Sequence, residues 1–417
     1  MRNWIMFLLL VSGCVTADEM MSTAETDRQA TIDAAKARAL ELRRVLLGLD
    51  AEISAAEART LPPGKRAGER TEGKIVNGVS TGAYPTAGAL IRGTLAASAG
   101  SWCSGTLIGP QTFLTAAHCV DDDPDAEAYH VYLQHGGIFA LNAVTMHPDY
   151  DFPHADLAVV ELAAVVEGIA PTPLNTLPVP SGNRGDIVGY GRSGGFAQDY
   201  GIKRAGSVQI APCEPQRPPS LLCWNFDDPV GAAGLDSNTC NADSGGPLYL
   251  QRAADAPLLL AGVTSGGSQS DCLAGDHSYD VDVQQFVEWI VETANGDTNA
   301  SVSDALPLWG SDKVRTLRAE VEFTANLRFR NYTVTLPDGI SRLRVAMNGH
   351  DQDNRNFDLY VKSGAAVSVT DNDCAQNGTG QYGFCEFADP VAGAWSILLD
   401  AKSGNGLAQV SATLFEE

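Results

Sequence analysis

Cys240-Asn241-Ala242-Asp243-Ser244-Gly245-Gly246-Pro247-Leu248 places a serine between a carboxylate and a pair of glycines, just ahead of an apolar run. Glycine and proline at this spacing mark a tight turn. A serine hydroxyl is inert at neutral pH until a base takes its proton, and that base needs a third group to fix its tautomer. Two other stretches offer those groups. Thr115-Ala116-Ala117-His118-Cys119 brings an imidazole to the end of an apolar run. Asp156 opens Asp156-Leu157-Ala158-Val159-Val160-Glu161-Leu162, a carboxylate at the mouth of an otherwise apolar strand. Asp149 and Asp151, in the polar turn His147-Pro148-Asp149-Tyr150-Asp151, compete with Asp156 for the acid role. Taken singly these features are ordinary, since a lone histidine is commonly just packed and a serine in a glycine-rich turn is commonly just a turn. Their combination carries the chemistry.

In the order His, Asp, Ser these motifs resemble the chymotrypsin/trypsin-fold serine peptidases (the S1 family), over residues 75–293. The resemblance implies two six-stranded antiparallel β-barrels with a C-terminal helix. It makes His118 the general base, Asp156 its orienting carboxylate and Ser244 the nucleophile that forms an acyl-enzyme. The backbone N–H groups of Ala242 and Ser244 would form the oxyanion hole. Ile75-Val76-Asn77-Gly78 resembles the start of a mature family chain. It implies a zymogen cut after Lys74 by a Lys/Arg-specific protease, with the freed Ile75 amine inserting beside Asp243. By the same resemblance Cys103 pairs with Cys119, Cys213 with Cys223 and Cys240 with Cys272; Cys374 and Cys385 remain for the C-terminal region.

Two positions depart from the family pattern. Ala242 stands where glycine is usual, and a Cβ disfavours left-handed backbone by about 1–2 kcal/mol. This keeps a catalytically impaired homologue, acting as a surface binding or adhesion protein, as the alternative reading. Asn238, six residues before Ser244, falls at the base of the primary pocket, where trypsin-like members carry Asp. Ser265 and Gly267 resemble the strand that lines this pocket and binds substrate backbone, with Gly266 where an aromatic is common and Ser278 on the far wall. A neutral Asn238 and an open entrance predict a neutral side chain in the pocket rather than tryptic cleavage.

Around these motifs, residues 75–295 show short apolar runs at 86–91, 131–133, 157–162, 186–188 and 258–263, broken by Gly, Pro, Asn and Ser, the pattern of antiparallel β-barrels or sandwiches. The apolar positions 283, 286, 287, 290 and 291 have helical spacing. Residues 296–312 are small and polar and predict a linker. A second β region fills 313–417, with strands expected at 332–336, 343–347, 357–361, 395–399 and 408–414. Asn331-Tyr332-Thr333-Val334-Thr335-Leu336, Phe357-Asp358-Leu359-Tyr360-Val361 and Ala394-Trp395-Ser396-Ile397-Leu398 resemble the bacterial pre-peptidase C-terminal (PPC) domain, which implies a jelly-roll-like β-sandwich. Cys/His spacing suggests no zinc site and no phosphate loop is visible, so no cofactor is expected. Asp351, Asp353, Asp358, Asp371 and Asp373 are calcium candidates, since that ion takes six to eight oxygens, against the commoner reading as solvated turn residues. Asp121-Asp122-Asp123 is a weaker one.

The chain begins Met1-Arg2-Asn3-Trp4, followed by Ile5-Met6-Phe7-Leu8-Leu9-Leu10-Val11, a charged start and apolar core that predict a signal peptide over 1–17. Val11-Ser12-Gly13-Cys14 fits a bacterial lipobox with a lipid anchor at Cys14, while Val15-Thr16-Ala17 fits ordinary cleavage. Either route leaves eight of the nine cysteines to pair, which predicts export from a bacterium to an oxidising compartment, secreted or at the outer-membrane surface. Ile32, Ala35, Ala39, Leu42, Leu46, Leu49 and Ile53 form one helical stripe, so 18–74 reads as a helical propeptide. With 28 Lys and Arg against 51 Asp and Glu, net −23, the chain lacks the positive charge a nucleic-acid partner requires. Protein or peptide substrate is the expected partner.

Overall fold

Strand β1 (Val79–Ser80) leads into β2 (Ala87–Arg92), β3 (Gly100–Leu107), β4 (Thr112–Thr115), β5 (Tyr129–Leu133), β6 (Gly137–Met146) and β7 (Ala158–Leu162). The last six close into an antiparallel barrel in the order β2-β3-β4-β7-β6-β5. Closure pairs every strand on both sides and removes the exposed edge. Leu90, Phe113, Val131 and Val160 fill the interior without exposure. Gly105 makes room for that filling, because a Cβ there would stand 2.2 Å from the Phe113 ring. These are the residues of a computed structural model, which describes 75–93, 100–227, 231–254, 256–298, 305–351, 355–364 and 366–417. The expected signal peptide, Cys14, the helical propeptide, Lys74 and Asp353 lie outside the described residues.

The chain continues with β8 (Arg184–Gly189), β9 (Arg204–Gln209), β10 (Leu221–Phe226), β11 (Pro247–Gln251), β12 (Leu258–Gly266) and β13 (Asp276–Asp282). Their sheet runs β1-β9-β8-β11-β12-β13-β10. The seventh strand, beyond the expected six, is β1, whose Val79 pairs with Ala205. The helical pattern at 283–291 resolves into a 3₁₀ turn, Val283–Gln285, and helix α1, Val287–Thr293. Asp282 caps the turn by accepting from the Gln284 amide, and Val283 and Ile290 are the fully buried members of the stripe.

Eight strands follow: β14 (Val314–Phe323), β15 (Phe329–Leu336), β16 (Ile340–Gly349), β17 (Asn356–Ser363), β18 (Cys374–Gln376), β19 (Gly383–Ala388), β20 (Gly393–Ser403) and β21 (Gly406–Glu416). They form two four-stranded sheets, β14-β21-β16-β19 and β15-β20-β17-β18, over a core that includes Phe323, Met347, Phe357, Trp395 and Leu399. The Cys374–Cys385 disulfide joins β18 to β19, an edge strand of one sheet to an edge strand of the other.

Residues 296–312 are not a free tether at their described ends. The Asp297 carboxylate accepts from Gln111 N–H (2.9 Å) and Thr112 Oγ1 (2.8 Å), and Trp309 N–H donates to Gly168 O (2.8 Å). The β-sandwich is fastened to the barrels by buried polar contacts. Asn348 Nδ2 donates to Gly201 O (2.8 Å), Lys203 N–H donates to Gln409 Oε1 (3.1 Å), and Arg344 Nη1 donates to the carbonyls of His135 and Glu167. Tyr132, Tyr190 and Tyr382 meet ring to ring beside them. Burial pushes the His135 imidazole down to about 3, so it sits neutral in this contact, its Nδ1 against Thr413 Oγ1. Among the described residues no helix is long and apolar enough to cross a membrane.

Candidate active site

Antiparallel pairing of β4 with β7 sets Thr115 opposite Ala158. His118 lies three residues past Thr115 and Asp156 two before Ala158, so both emerge at the same end of the strand pair. His118 sits on a 3₁₀ turn, Ala117–Cys119, tied to β3 by the Cys103–Cys119 disulfide. Its Nδ1 is 2.6 Å from Asp156 Oδ2, and its backbone N–H donates to Asp156 Oδ1 (2.8 Å). Asp156 has no exposure, and Ser265 Oγ donates a further hydrogen bond to Oδ2 (2.7 Å). A buried carboxylate held by three donors fixes the imidazole with its proton on Nδ1, which leaves Nε2 free to accept. Asp149 and Asp151 are exposed and take neither of these bonds.

Ser244 reaches this end of the barrel from the other sheet, on the turn that precedes β11. Its carbonyl accepts from Ser104 N–H (2.8 Å) in β3. Gly245, at φ +79°, presses so closely on the histidine segment that a Cβ would stand 2.1 Å from Thr115 Oγ1 and 2.9 Å from Ala116 N. Among the described residues the Ser244 hydroxyl has no hydrogen bond. The N–H groups of Ala242 and Ser244 likewise donate to no described protein acceptor, which leaves two amides at the turn for an external oxygen. Ala242 adopts φ +68°.

Beside Ser244 lies a pocket of about 230 Å³ lined by Thr239, Thr264, Ser265, Gly267 and Asp276 among others. Asn238 is wholly buried behind it, with no polar atom left over. Its Oδ1 accepts from Trp224 Nε1 (2.9 Å) and Ser278 Oγ (2.7 Å), and its Nδ2 donates to Cys272 O (3.1 Å) and Asp276 Oδ2 (2.7 Å).

A family model described as Trypsin matches residues 77–290, and one described as Bacterial pre-peptidase C-terminal domain matches 329–401. The chain belongs to the trypsin family. Ovochymase of Halocynthia roretzi is 25% identical over 260 residues, covering 56% of this chain and 16% of that protein. Coagulation factor XII of Sus scrofa is 28% identical over 258 residues (52% and 39%), and serine protease 56 of Mus musculus 31% identical over 222 residues (48% and 35%). This chain thus spans less than half the length of each of these relatives.

Several side chains in this trypsin domain stand differently from the expectation. Ser265 points its hydroxyl at Asp156, so its side chain serves the carboxylate rather than the pocket. The expected neutral floor does not describe the cavity, because Asn238 faces inward and Asp276 supplies the lining carboxylate. The signal for Asp276 was a period of two: it lies two residues before Ser278 on one strand, hence on the same face. At Gly266 a Cβ would meet Tyr279 Oη at 2.8 Å and Phe152 at 3.4 Å, so neighbouring aromatics occupy the space an aromatic at 266 would need. The Phe152 ring also stands edge-on to His118 at 5.6 Å.

The described calcium candidates do not converge. Asp351 takes the Ser101 amide, Asp358 the Tyr360 hydroxyl, Asp371 the Lys362 ammonium and Asp373 the Ser363 amide. Asp122 and Asp123 pair with Arg92, and Asp121 accepts from Tyr150 Oη. The structure joins Cys103–Cys119, Cys213–Cys223 and Cys240–Cys272 in the trypsin domain.

The positive φ of Ala242 gives a first prediction. Ala242→Gly removes a Cβ from left-handed backbone, relief worth about 1 kcal/mol after the added flexibility of the unfolded chain. A small rise in melting temperature is expected, with turnover equal to or above that of the parent. A fall in both would mean that the alanine methyl holds the turn.

Proposed function

We propose that this chain is a serine endopeptidase made as a precursor. The observation that carries the reading is the Asp156 carboxylate, which grips His118 at both Nδ1 and the backbone amide beside the Ser244 turn. In this mechanism the Ser244 oxygen attacks a peptide carbonyl while His118 Nε2 takes the hydroxyl proton. The oxyanion accepts from the N–H groups of Ala242 and Ser244, and His118 passes the proton to the departing amine. Water then repeats the sequence on the acyl-enzyme and restores Ser244.

Activation by cleavage after Lys74 is supported at Ile75 itself. Ile75 is fully buried at φ +39°, an unfavourable torsion for a β-branched residue, and cutting the 74–75 bond abolishes that torsion. Val76 is hydrogen-bonded both ways to Asn238 (2.9 and 3.0 Å), which ties the new N-terminus to the wall behind the pocket. Asp243 is wholly buried. Burial pushes its carboxyl up from 3.8 to about 7, against the pull of the Cys240 and Gly191 amides. Among the described residues no cation is ion-paired with this carboxylate, and a freed ammonium would supply one.

The pH dependence follows from that direction. A carboxyl that binds its proton more tightly folded than unfolded loses stability as pH rises from about 4 to about 7. That loss belongs to the uncut chain, since the Ile75 ammonium offsets it after cleavage. The melting-temperature gap between cut and uncut protein should therefore widen from pH 4 to pH 7. A gap independent of pH would contradict an Ile75–Asp243 pair.

The reaction itself is tested with a fluorophosphonate probe, expected to label Ser244 in Lys74-cleaved protein and not in an uncut Lys74→Gln precursor. Equal labelling of the two removes the zymogen step, and no labelling of either removes the peptidase reading. Export to an oxidising compartment is supported by the four disulfides. Mass spectrometry of the mature N-terminus distinguishes a lipid-anchored Cys14 from signal-peptidase cleavage after Ala17.

A further inference from the structure

Both the histidine turn and the serine turn hang on β3. Cys103 holds the first through the Cys103–Cys119 disulfide, and Ser104 N–H holds the second at Ser244 O (2.8 Å). Ser104 Oγ also donates to Ala242 O (2.9 Å) and accepts from Tyr190 N–H (3.0 Å). One side of β3 pairs with β2 from Gly100 to Thr106, but on the other β4 reaches only Thr106 and Leu107. The edge left open over 100–104 is filled from two directions. Ser244 takes the Ser104 N–H, and the β-sandwich takes the Ser101 N–H, which donates to Asp351 Oδ2 just past β16. Tyr382, just before β19, shares a hydrogen bond between its Oη and Ser101 Oγ. The sandwich also grips the neck of the 190–201 loop, which Gly201 N–H closes at Tyr190 O (2.8 Å). Asp351 N–H donates to Tyr200 O (2.9 Å), and a Cβ on Gly201 would stand 2.1 Å from Gly349 O. At the other end of that neck Gly191 N–H donates to Asp243 Oδ1 (2.8 Å), next to the nucleophile.

We propose that the C-terminal sandwich is a positioning element of the catalytic centre, with Asp351 and Tyr382 as its positioning residues, a proposal that rests on the peptidase reading above. A strand end bonded along one edge only is the kind of segment that opens first. Any shift of β3 at Ser101 is passed, two and three residues on, to the disulfide that carries the His118 turn and to the amide that carries Ser244. A carboxylate accepting a backbone N–H makes a charge-assisted bond, stronger than a neutral one, so Asp351 is a firm stop for this end of the strand. The pocket wall lies elsewhere, on β12 and at Asp276 at the start of β13. The sandwich contacts therefore set the rate of the chemical step rather than the hold on the substrate side chain.

The test uses full-length protein cut at Lys74, assayed well below the melting temperature of each variant. Asp351→Ala should lower kcat by about 10–10²-fold with KM nearly unchanged, because an ångström of misplacement costs about 10²-fold. The rate of fluorophosphonate labelling at Ser244 should fall by the same factor. Asp351→Asn keeps an oxygen that can accept from Ser101 N–H and should restore most of both rates. Should Asp351→Ala fail to fold, Tyr382→Phe still tests the clamp. It removes one oxygen, keeps the ring against Tyr132 (4.9 Å between centroids) and should cost a few-fold in the same two rates. Parent rates in every variant that folds, with only the melting temperature lowered, would overturn the proposal and leave the sandwich a passive brace. A loss that Asp351→Asn does not restore would overturn it too, since it would come from the charge and not from the accepting oxygen. A cut parent that is never labelled removes the peptidase reading and the positioning role with it, whereas a labelled parent with unchanged variants removes the positioning role alone.

Discussion

Ser244→Ala is expected to lower kcat for peptide hydrolysis by about 10⁶-fold, with little change in KM. The substitution removes one oxygen and leaves the fold intact, because what anchors this turn is backbone. The Ser244 carbonyl still accepts from Ser104 N–H, and Gly245 N–H still donates to Thr264 O. The N–H of residue 244 also survives, so oxyanion stabilisation persists while no acyl-enzyme forms. Stopped turnover with substrate still bound would place Ser244 at the covalent step. A loss shared between KM and kcat, or residual activity above about 1% of the parent, would assign the nucleophile elsewhere.

Asp156→Asn should cost about 10⁴-fold in kcat with the melting temperature only modestly changed. The present carboxylate accepts at both oxygens, from His118 N–H at Oδ1 and from His118 Nδ1 and Ser265 Oγ at Oδ2. An amide has one accepting end. If its oxygen keeps the backbone N–H, its NH₂ faces Nδ1 and stabilises the tautomer with the proton on Nε2, where it cannot take the serine proton. If it turns over, the backbone donor is orphaned. The pH profile separates this from a packing defect. Partial recovery at high pH, as hydroxide takes the serine proton in place of Nε2, is expected, whereas a flat profile at the reduced rate would indicate simple displacement of the loop.

Much of the fold was legible because both halves of the chain bury strands between short polar breaks. The runs at 131–133, 258–263 and 357–361 each lie within an observed strand, β5, β12 and β17. The strands that were not legible are those without an apolar run. Among them are β3, Gly-Ser-Trp-Cys-Ser-Gly-Thr-Leu, and β13, Asp-His-Ser-Tyr-Asp-Val-Asp, both largely buried despite polar sequences. In β3 small residues admit Phe113 and the Ser244 turn. In β13 the polar face is the pocket wall, where hydrogen bonds to Asn238 and Ser268 replace apolar packing. The seating of the sandwich was equally hidden. Arg344 is a charged residue of the sandwich, and only a facing surface with matching carbonyls, those of His135 and Glu167, allows its burial.

The amino-acid sequence by itself determined the residue types available for chemistry, the order in which they occur, and the alternation of apolar runs and turns that makes the chain β-rich. These are local properties, written in neighbouring residues. Which carboxylate meets His118, which way Asn238 points and whether the pocket carries charge were decided only by tertiary structure. Each depends on strand register between segments far apart in the chain, where a shift of one residue turns a side chain from one face of the sheet to the other. In that register Asp276 faces the cavity.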